Sequence, residues 1–263
     1  MAAQMMQNEG GNPAFDKPEV KQALASSDPR PMTVGGVALK TLLYLIALLI
    51  AGSWGWNATV DPATADAADG YGTVTVTVPG GFWIASLLAF GVGIYTSLNP
   101  RRAMVPGFIY ALLQGYILGA ISAMFDSQTE GIVAAAVAAT VCVFAVSLLL
   151  YVTRIVKPTA RMAFGVAAGL GGLALFYLFV WVLAIFDAPF LYSEEFRAVG
   201  LVVTIAAIVL AALTLTLNFA AIESGVQTGA PKWLEWYSAY GLMVTLIWLY
   251  LMLLRLLAIL GRR

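Results

Sequence analysis

The polar side chains able to do chemistry within the apolar part of this chain are few, and they recur at helical spacing. Thr214 and Asn218 lie four apart, as do Tyr110 and Gln114, and Thr245, Trp248, Met252 and Arg255 follow a three-four stripe, so each set falls on one face of a helix. Glu223 and Glu235 flank a short gap with Lys232 between them. Neutral amides and hydroxyls can line a polar path, or they can join membrane helices through hydrogen bonds worth ~0.6 to 2 kcal/mol. The two carboxylates can bind a cation or titrate at the mouth of such a path, or form surface salt bridges of small worth. Arg255 is costly in hydrocarbon unless it is paired or reaches water. Asn218, Thr245, Gln114, Glu223, Glu235 and Arg255 are therefore the candidate transport-pathway residues.

Catalysis is not expected. The chain has no histidine, which excludes bis-imidazole haem ligation, His-dependent serine protease dyads, zincin chemistry and a histidine pH sensor. The lone Cys142 sits within an alanine-rich apolar run and reads as a small packing residue rather than a nucleophile. No phosphate-binding glycine loop is found. The expectation is a non-enzyme with no catalytic residues, no metal site, no cofactor and no nucleic-acid partner.

The elements that must position these residues are transmembrane helices. Seven apolar runs, at about 37 to 58, 82 to 98, 105 to 125, 131 to 153, 162 to 186, 198 to 221 and 237 to 260, meet the ~20 residues needed to cross ~30 Å of hydrocarbon. None of these runs contains Asp or Glu, and only 11% of the 263 residues are charged. The fold class is an all-α membrane protein, with a cytoplasmic tail over residues 1 to 36 and a seven-helix transmembrane domain over 37 to 263.

Charge placement orients the bundle. Ten of the fourteen Lys and Arg residues fall on alternate sides: Lys17, Lys21, Arg30 and Lys40, then Arg101 and Arg102, then Arg154, Lys157 and Arg161, then Lys232. The opposite gaps hold Arg197 and are acidic, with Asp61, Asp66, Asp69, Asp126, Glu130, Asp187, Glu194 and Glu195. The positive-inside rule then puts the N-terminus in the cytoplasm and, after seven crossings, the C-terminus outside. Arg255, Arg262 and Arg263 run against the rule, which a broken or re-entrant last segment would relieve; the length of 237 to 260 and the ability of Arg255 to snorkel favour a full crossing. Trp54, Trp56, Trp83 and Trp181 at outer span ends, and Trp233 and Trp236 at the inner start of the last one, fit aromatic belts.

Three features outside the spans bear on partners. The first 36 residues are polar and carry no cleavable signal, with Phe15 in the Asn12, Pro13, Ala14, Phe15 stretch able to dock on the bundle. The outer loop, about 59 to 81, ends in a strict Thr/Val alternation from Thr73 to Val78, a strand signature. That strand either pairs with the residues before it through an Asp69, Gly70 turn, or offers an edge to a membrane protein partner. Gly115 with Gly119, and Gly165 with Gly169, lie on single helix faces suited to close packing or to a homo-oligomer contact.

The last fifty residues are the most specific. They run from Leu217 to Val226 (LNFAAIESGV), through Gly229, Ala230, Pro231, Lys232, Trp233, Leu234, Glu235, Trp236 and Tyr237, to Val244 through Leu260 with LIWLYLMLLRLLAIL. This stretch resembles the C-terminal signature of the Bax inhibitor family, in its bacterial YccA-type branch. Met32 to Val37 with Lys40 and Thr41 resembles the family's usual start of span one. Pro106, Tyr110, Ala111, Gln114, Gly115, Gly119 and Ile121 resemble its third helix, and Asn12 with Pro13 fits its tail.

The resemblance implies seven helices with the last one central, a pH-sensitive calcium leak and, in eukaryotic members, suppression of cell death. It also implies a gating pair of aspartates on helices six and seven, at positions that correspond here to Asn218 and Thr245. Neither is acidic, and Gln114 stands where the family often has Glu. Two close carboxylates share a proton and so titrate near neutrality; Asn and Thr do not. Two functions follow from different classes. One is a passive ion pathway or leak regulator with a neutral interior and any gating at the cytoplasmic mouth. The other is a non-transporting accessory or regulatory subunit of a larger membrane complex or membrane protease. The expected location is the bacterial plasma membrane.

Overall fold

Thr33 starts the first helix by turning its hydroxyl onto the Gly36 amide at 3.0 Å, the usual way a Thr N-cap satisfies a first-turn N–H. The computed structural model describes residues 31–60, 76–156, 158–186 and 189–261. Among these residues seven α-helices follow in order: α1 Val34–Thr59, α2 Phe82–Leu98, α3 Met104–Asp126, α4 Ile132–Val152, α5 Ala160–Ile185, α6 Glu194–Gln227 and α7 Leu234–Gly261. Six are long and apolar enough to cross a membrane, and α2 is a shorter apolar helix of 17 residues, about 26 Å at 1.5 Å per residue, a length that modest bilayer thinning accommodates. The protein is an all-α membrane bundle.

Helix ends extend past the expected spans. The first begins at Val34, α6 runs from Glu194 to Gln227, and α7 begins at Leu234, so Glu223 and Glu235 lie within terminal helical turns rather than in a loop. Hydropathy marks where hydrocarbon ends, whereas a helix continues until its backbone is capped. For α6 that cap comes at Gly229, which takes φ +69 while Ala230 and Gly229 donate to Gly225 and Val226 carbonyls at 2.9 and 3.2 Å, a glycine-terminated C-cap. The last helix is unbroken from Leu234 to Gly261, so the re-entrant alternative for this segment does not apply.

The chain divides into two compact units. Among the described residues, one contains those up to Ala135 together with Ser224–Val244; the other contains those from Ala136 to Glu223 together with those from Thr245 onward. In the first unit α1 and α3 cross with backbones nearly touching. A Cβ on Gly119 would overlap the Gly52 carbonyl, one on Gly115 the Leu48 carbonyl, and one on Gly55 the Tyr116 carbonyl. The Gly115, Gly119 face is thus occupied by α1 of the same chain, which settles its role as internal packing. Tyr44 is fully buried there, donates to the Ala103 carbonyl at 3.0 Å and packs edge-on against Phe108 and Trp236. Tyr237, Ser238, Ala239 and Tyr240 are all buried, so the first half of α7 is covered on every side, as a buried helix requires.

The second unit is held by Ala163, Val166 and Leu217, with Met162, Leu170, Leu210 and Leu213 packed around them. Its glycine pair behaves unlike the first: Gly169 faces the Leu210 side chain, and nothing lies within 4 Å of a Cβ built on Gly165. Cys142 is exposed on α4, a correction to its reading as a packing residue. An apolar thiol is accommodated on a lipid-facing surface as readily as inside.

Val76 pairs with Val60 in an antiparallel bridge, and the Thr77 amide donates to the Thr59 carbonyl at 3.0 Å. The end of the Thr/Val strand therefore pairs with residues before it in the chain. Thr73 to Thr75, the Asp69, Gly70 turn and the Phe15 stretch lie outside the described residues.

Candidate polar pathway

The polar residues of the second unit form three levels along α6 and α7. At the middle level the Asn218 amide donates to the Thr245 hydroxyl at 3.0 Å, both residues being 5% exposed. The two positions that the resemblance aligns with an aspartate pair are thus in direct contact across α6 and α7. An amide and a hydroxyl keep their charge state across the physiological range, so this contact does not open or close by titration. Thr214, four residues before Asn218, instead turns its hydroxyl onto the Leu210 carbonyl at 2.8 Å, the common back-bond of Thr in a membrane helix.

One helical turn and a half beyond Asn218 lies Glu223. Its carboxylate accepts a hydrogen bond from the Tyr151 hydroxyl and sits 3.7 Å from Arg154. Arg154 follows the last turn of α4 with φ 57, a left-handed conformation uncommon outside glycine, which turns the chain at the helix end. The side chains of Glu223 and Arg154 are 40% and 78% exposed, so Glu223 is a solvent-accessible carboxylate beneath the neutral contact. One ionic neighbour is Arg154, from the turn that follows α4.

At the opposite level Arg255 donates from Nη1 to the Tyr177 hydroxyl at 3.1 Å and lies over the Tyr177 ring at 5.7 Å. Tyr177 also reaches the Met252 sulfur at 3.8 Å. Thr245, Met252 and Arg255 therefore do share the face of α7 turned to α5 and α6.

The other two candidates belong to the first unit. Gln114 donates to the Tyr110 hydroxyl at 3.1 Å, Tyr110 packs edge-on against Tyr240, and the Tyr240 hydroxyl donates to the Gly93 carbonyl at 3.3 Å. Two residues earlier on α7, the Ser238 hydroxyl is buried with no hydrogen-bond partner among the described residues.

Glu235 corrects the expectation of a surface salt bridge beside Lys232. It is 1% exposed and forms an ion pair with Lys40, while Lys232 is exposed. The same carboxylate accepts the Thr33 amide at 2.9 Å and the Thr33 hydroxyl at 3.2 Å, and Lys40 lies 4.9 Å from the centre of the Trp236 ring. A Cβ on Gly36 would overlap the carboxylate, so the glycine makes room for it. In the sequence Lys40 stands as one of the charges that orient the bundle and as part of the resemblance at the start of span one. A lysine two turns into one apolar helix and a glutamate in the first turn of another were the available signal for this pair.

Among the described residues no three His, Cys, Asp or Glu side chains gather as a metal site. The oxygens of Asn218 and Thr245 are neutral, and a hard cation such as calcium prefers carboxylates. The arrangement offers passage or packing rather than a chelating cage. No curated relative matches the chain. The family model described as Bax inhibitor 1 like matches residues 12–262, and with nearly the whole chain covered this protein belongs to that family.

Proposed function

We propose that this protein is a passive ion pathway or leak regulator of Bax inhibitor type in the plasma membrane of a bacterium, with its N-terminus in the cytoplasm. The observation that carries the reading is the Asn218 to Thr245 hydrogen bond, a neutral closure at the two positions where the family resemblance implies a titrating pair. Glu223, with Tyr151 and Arg154, then stands at the cytoplasmic mouth and supplies the negative charge that concentrates cations there.

The test is calcium entry into liposomes carrying the purified protein at fixed pH, compared with protein-free liposomes. Entry above the protein-free rate is expected, with Glu223→Gln lowering it about threefold or more at low ionic strength through the lost local potential. Tyr151→Phe, which removes one hydrogen bond and leaves the charge, should change it far less. No entry above background would overturn this reading and favour an accessory subunit that binds another membrane protein.

A further inference from the structure

Arg255 is held against Tyr177 of α5 and beside Gly200 of α6. The guanidinium carries five N–H donors, and among the described residues its hydrogen bonding goes to the Tyr177 hydroxyl, with no described carboxylate within ion-pair distance. Snorkelling alone would send an arginine side chain out along its own helix toward water. Here it folds across onto α5 and α6 instead. Its Nη2 lies 3.8 Å from where a Cβ would stand on Gly200, a buried glycine six residues into α6, so three helices frame the group.

Its depth is informative. Arg255 lies nineteen residues beyond Trp236 on one unbroken helix, about 28 Å at 1.5 Å per residue. That is close to the ~30 Å hydrocarbon thickness, which puts the guanidinium at the headgroup level of the leaflet opposite Trp236. Trp181, one turn past Tyr177, and Val199, beside Gly200, are both exposed and offer an apolar surface for acyl chains next to the charge. Tyr177 can redirect its hydroxyl proton from the weakly accepting Met252 sulfur to a stronger acceptor, which gives the site a second donor.

We infer that Arg255 and Tyr177 bind a phosphate group, and that the phosphate is the headgroup diester of a phospholipid in that leaflet. A planar guanidinium matches two phosphate oxygens through parallel hydrogen bonds, and the ligand supplies a counter-charge that no described residue places within ion-pair distance of Arg255.

The test is native mass spectrometry of the full chain released from maltoside detergent after incubation with phosphatidylglycerol, with diacylglycerol of the same acyl chains, or with inorganic phosphate. Retention of one phosphatidylglycerol but not diacylglycerol is expected. Arg255→Gln should weaken that retention tenfold or more, Arg255→Lys by less, and Tyr177→Phe by a few-fold while keeping the ring against α7. Equal retention of diacylglycerol, or undiminished phosphatidylglycerol on Arg255→Gln and Tyr177→Phe, would overturn the site. Displacement of the lipid by millimolar inorganic phosphate would overturn the lipid assignment in favour of a free anion. Tyr177→Phe removes one hydroxyl and keeps the ring, so the inference stays testable if Arg255→Gln fails to fold.

Discussion

Replacing Glu235 by glutamine should lower the stability of the folded protein by about 3 to 5 kcal/mol, the cost of leaving a buried charge without its partner. Lys40 and Glu235 are 11% and 1% exposed at their side chains, so water does not compensate the amine once the carboxylate is gone. The change also weakens the anchor of the chain before α1, because the Thr33 amide and hydroxyl both point at the same oxygen. Lys40→Met should cost a similar amount for the converse reason. The double substitution Lys40→Met with Glu235→Leu should recover most of the loss, since a buried ion pair and a well-packed apolar pair of like volume are often nearly equivalent. Lys232→Met, on an exposed neighbour, should stay within about 0.5 kcal/mol. Thermal unfolding in detergent micelles, followed by tryptophan fluorescence, reads all four. Equal midpoints for Glu235→Gln and Lys232→Met would mean that the pair is solvated.

Gly119→Val should abolish accumulation of folded protein in the membrane. The added carbon would overlap the Gly52 carbonyl, and backbone cannot step aside as a flexible side chain can. Overpacking in a close-packed interior costs ~1 to 3 kcal/mol or more even when neighbours are side chains, and here α1 would have to separate from α3 along the Gly115 and Gly55 contacts as well. Gly165→Ala makes the contrast, because a Cβ there meets nothing within 4 Å and alanine is the better helix former by roughly 0.5 to 1 kcal/mol in soluble hosts. Size-exclusion profiles of fluorescently tagged variants should show loss of the monodisperse peak for Gly119→Val and retention for Gly165→Ala. A normal profile for Gly119→Val would show that the α1 and α3 crossing is looser than described.

These two cases divide between what could and could not be read from residue order. The helices were legible because seven long apolar runs, six of which became helices long enough to cross a membrane, are a physical requirement that composition displays. The close α1 and α3 face was half legible: the four-residue spacing of Gly115 and Gly119 marked the face, but spacing does not say what covers it. The Lys40 to Glu235 pair was not legible, since 195 residues separate the partners and a rule that counts charges by side treats each one alone. For Asn218 and Thr245 the stripe on each helix showed polarity, and only the family resemblance brought the two positions together. Glu223 was visible as an acid flanking the gap after span six, yet Tyr151 and Arg154 come from the end of α4 and the turn after it, which no local spacing indicates.

The neutral Asn218 to Thr245 contact is the centre of the account, and calcium flux into proteoliposomes stepped from about pH 8 to pH 6 tests it most directly, with the double variant Asn218→Asp plus Thr245→Asp beside the unmodified protein. Two carboxylates at this 3.0 Å contact would share a proton and titrate as a coupled pair, while the amide and hydroxyl have no proton to exchange in this range. The account predicts flux through the unmodified protein that changes less than about twofold over the step, and a several-fold pH dependence in the double variant. A several-fold response in the unmodified protein, or a double variant as indifferent to pH as its parent, would contradict it.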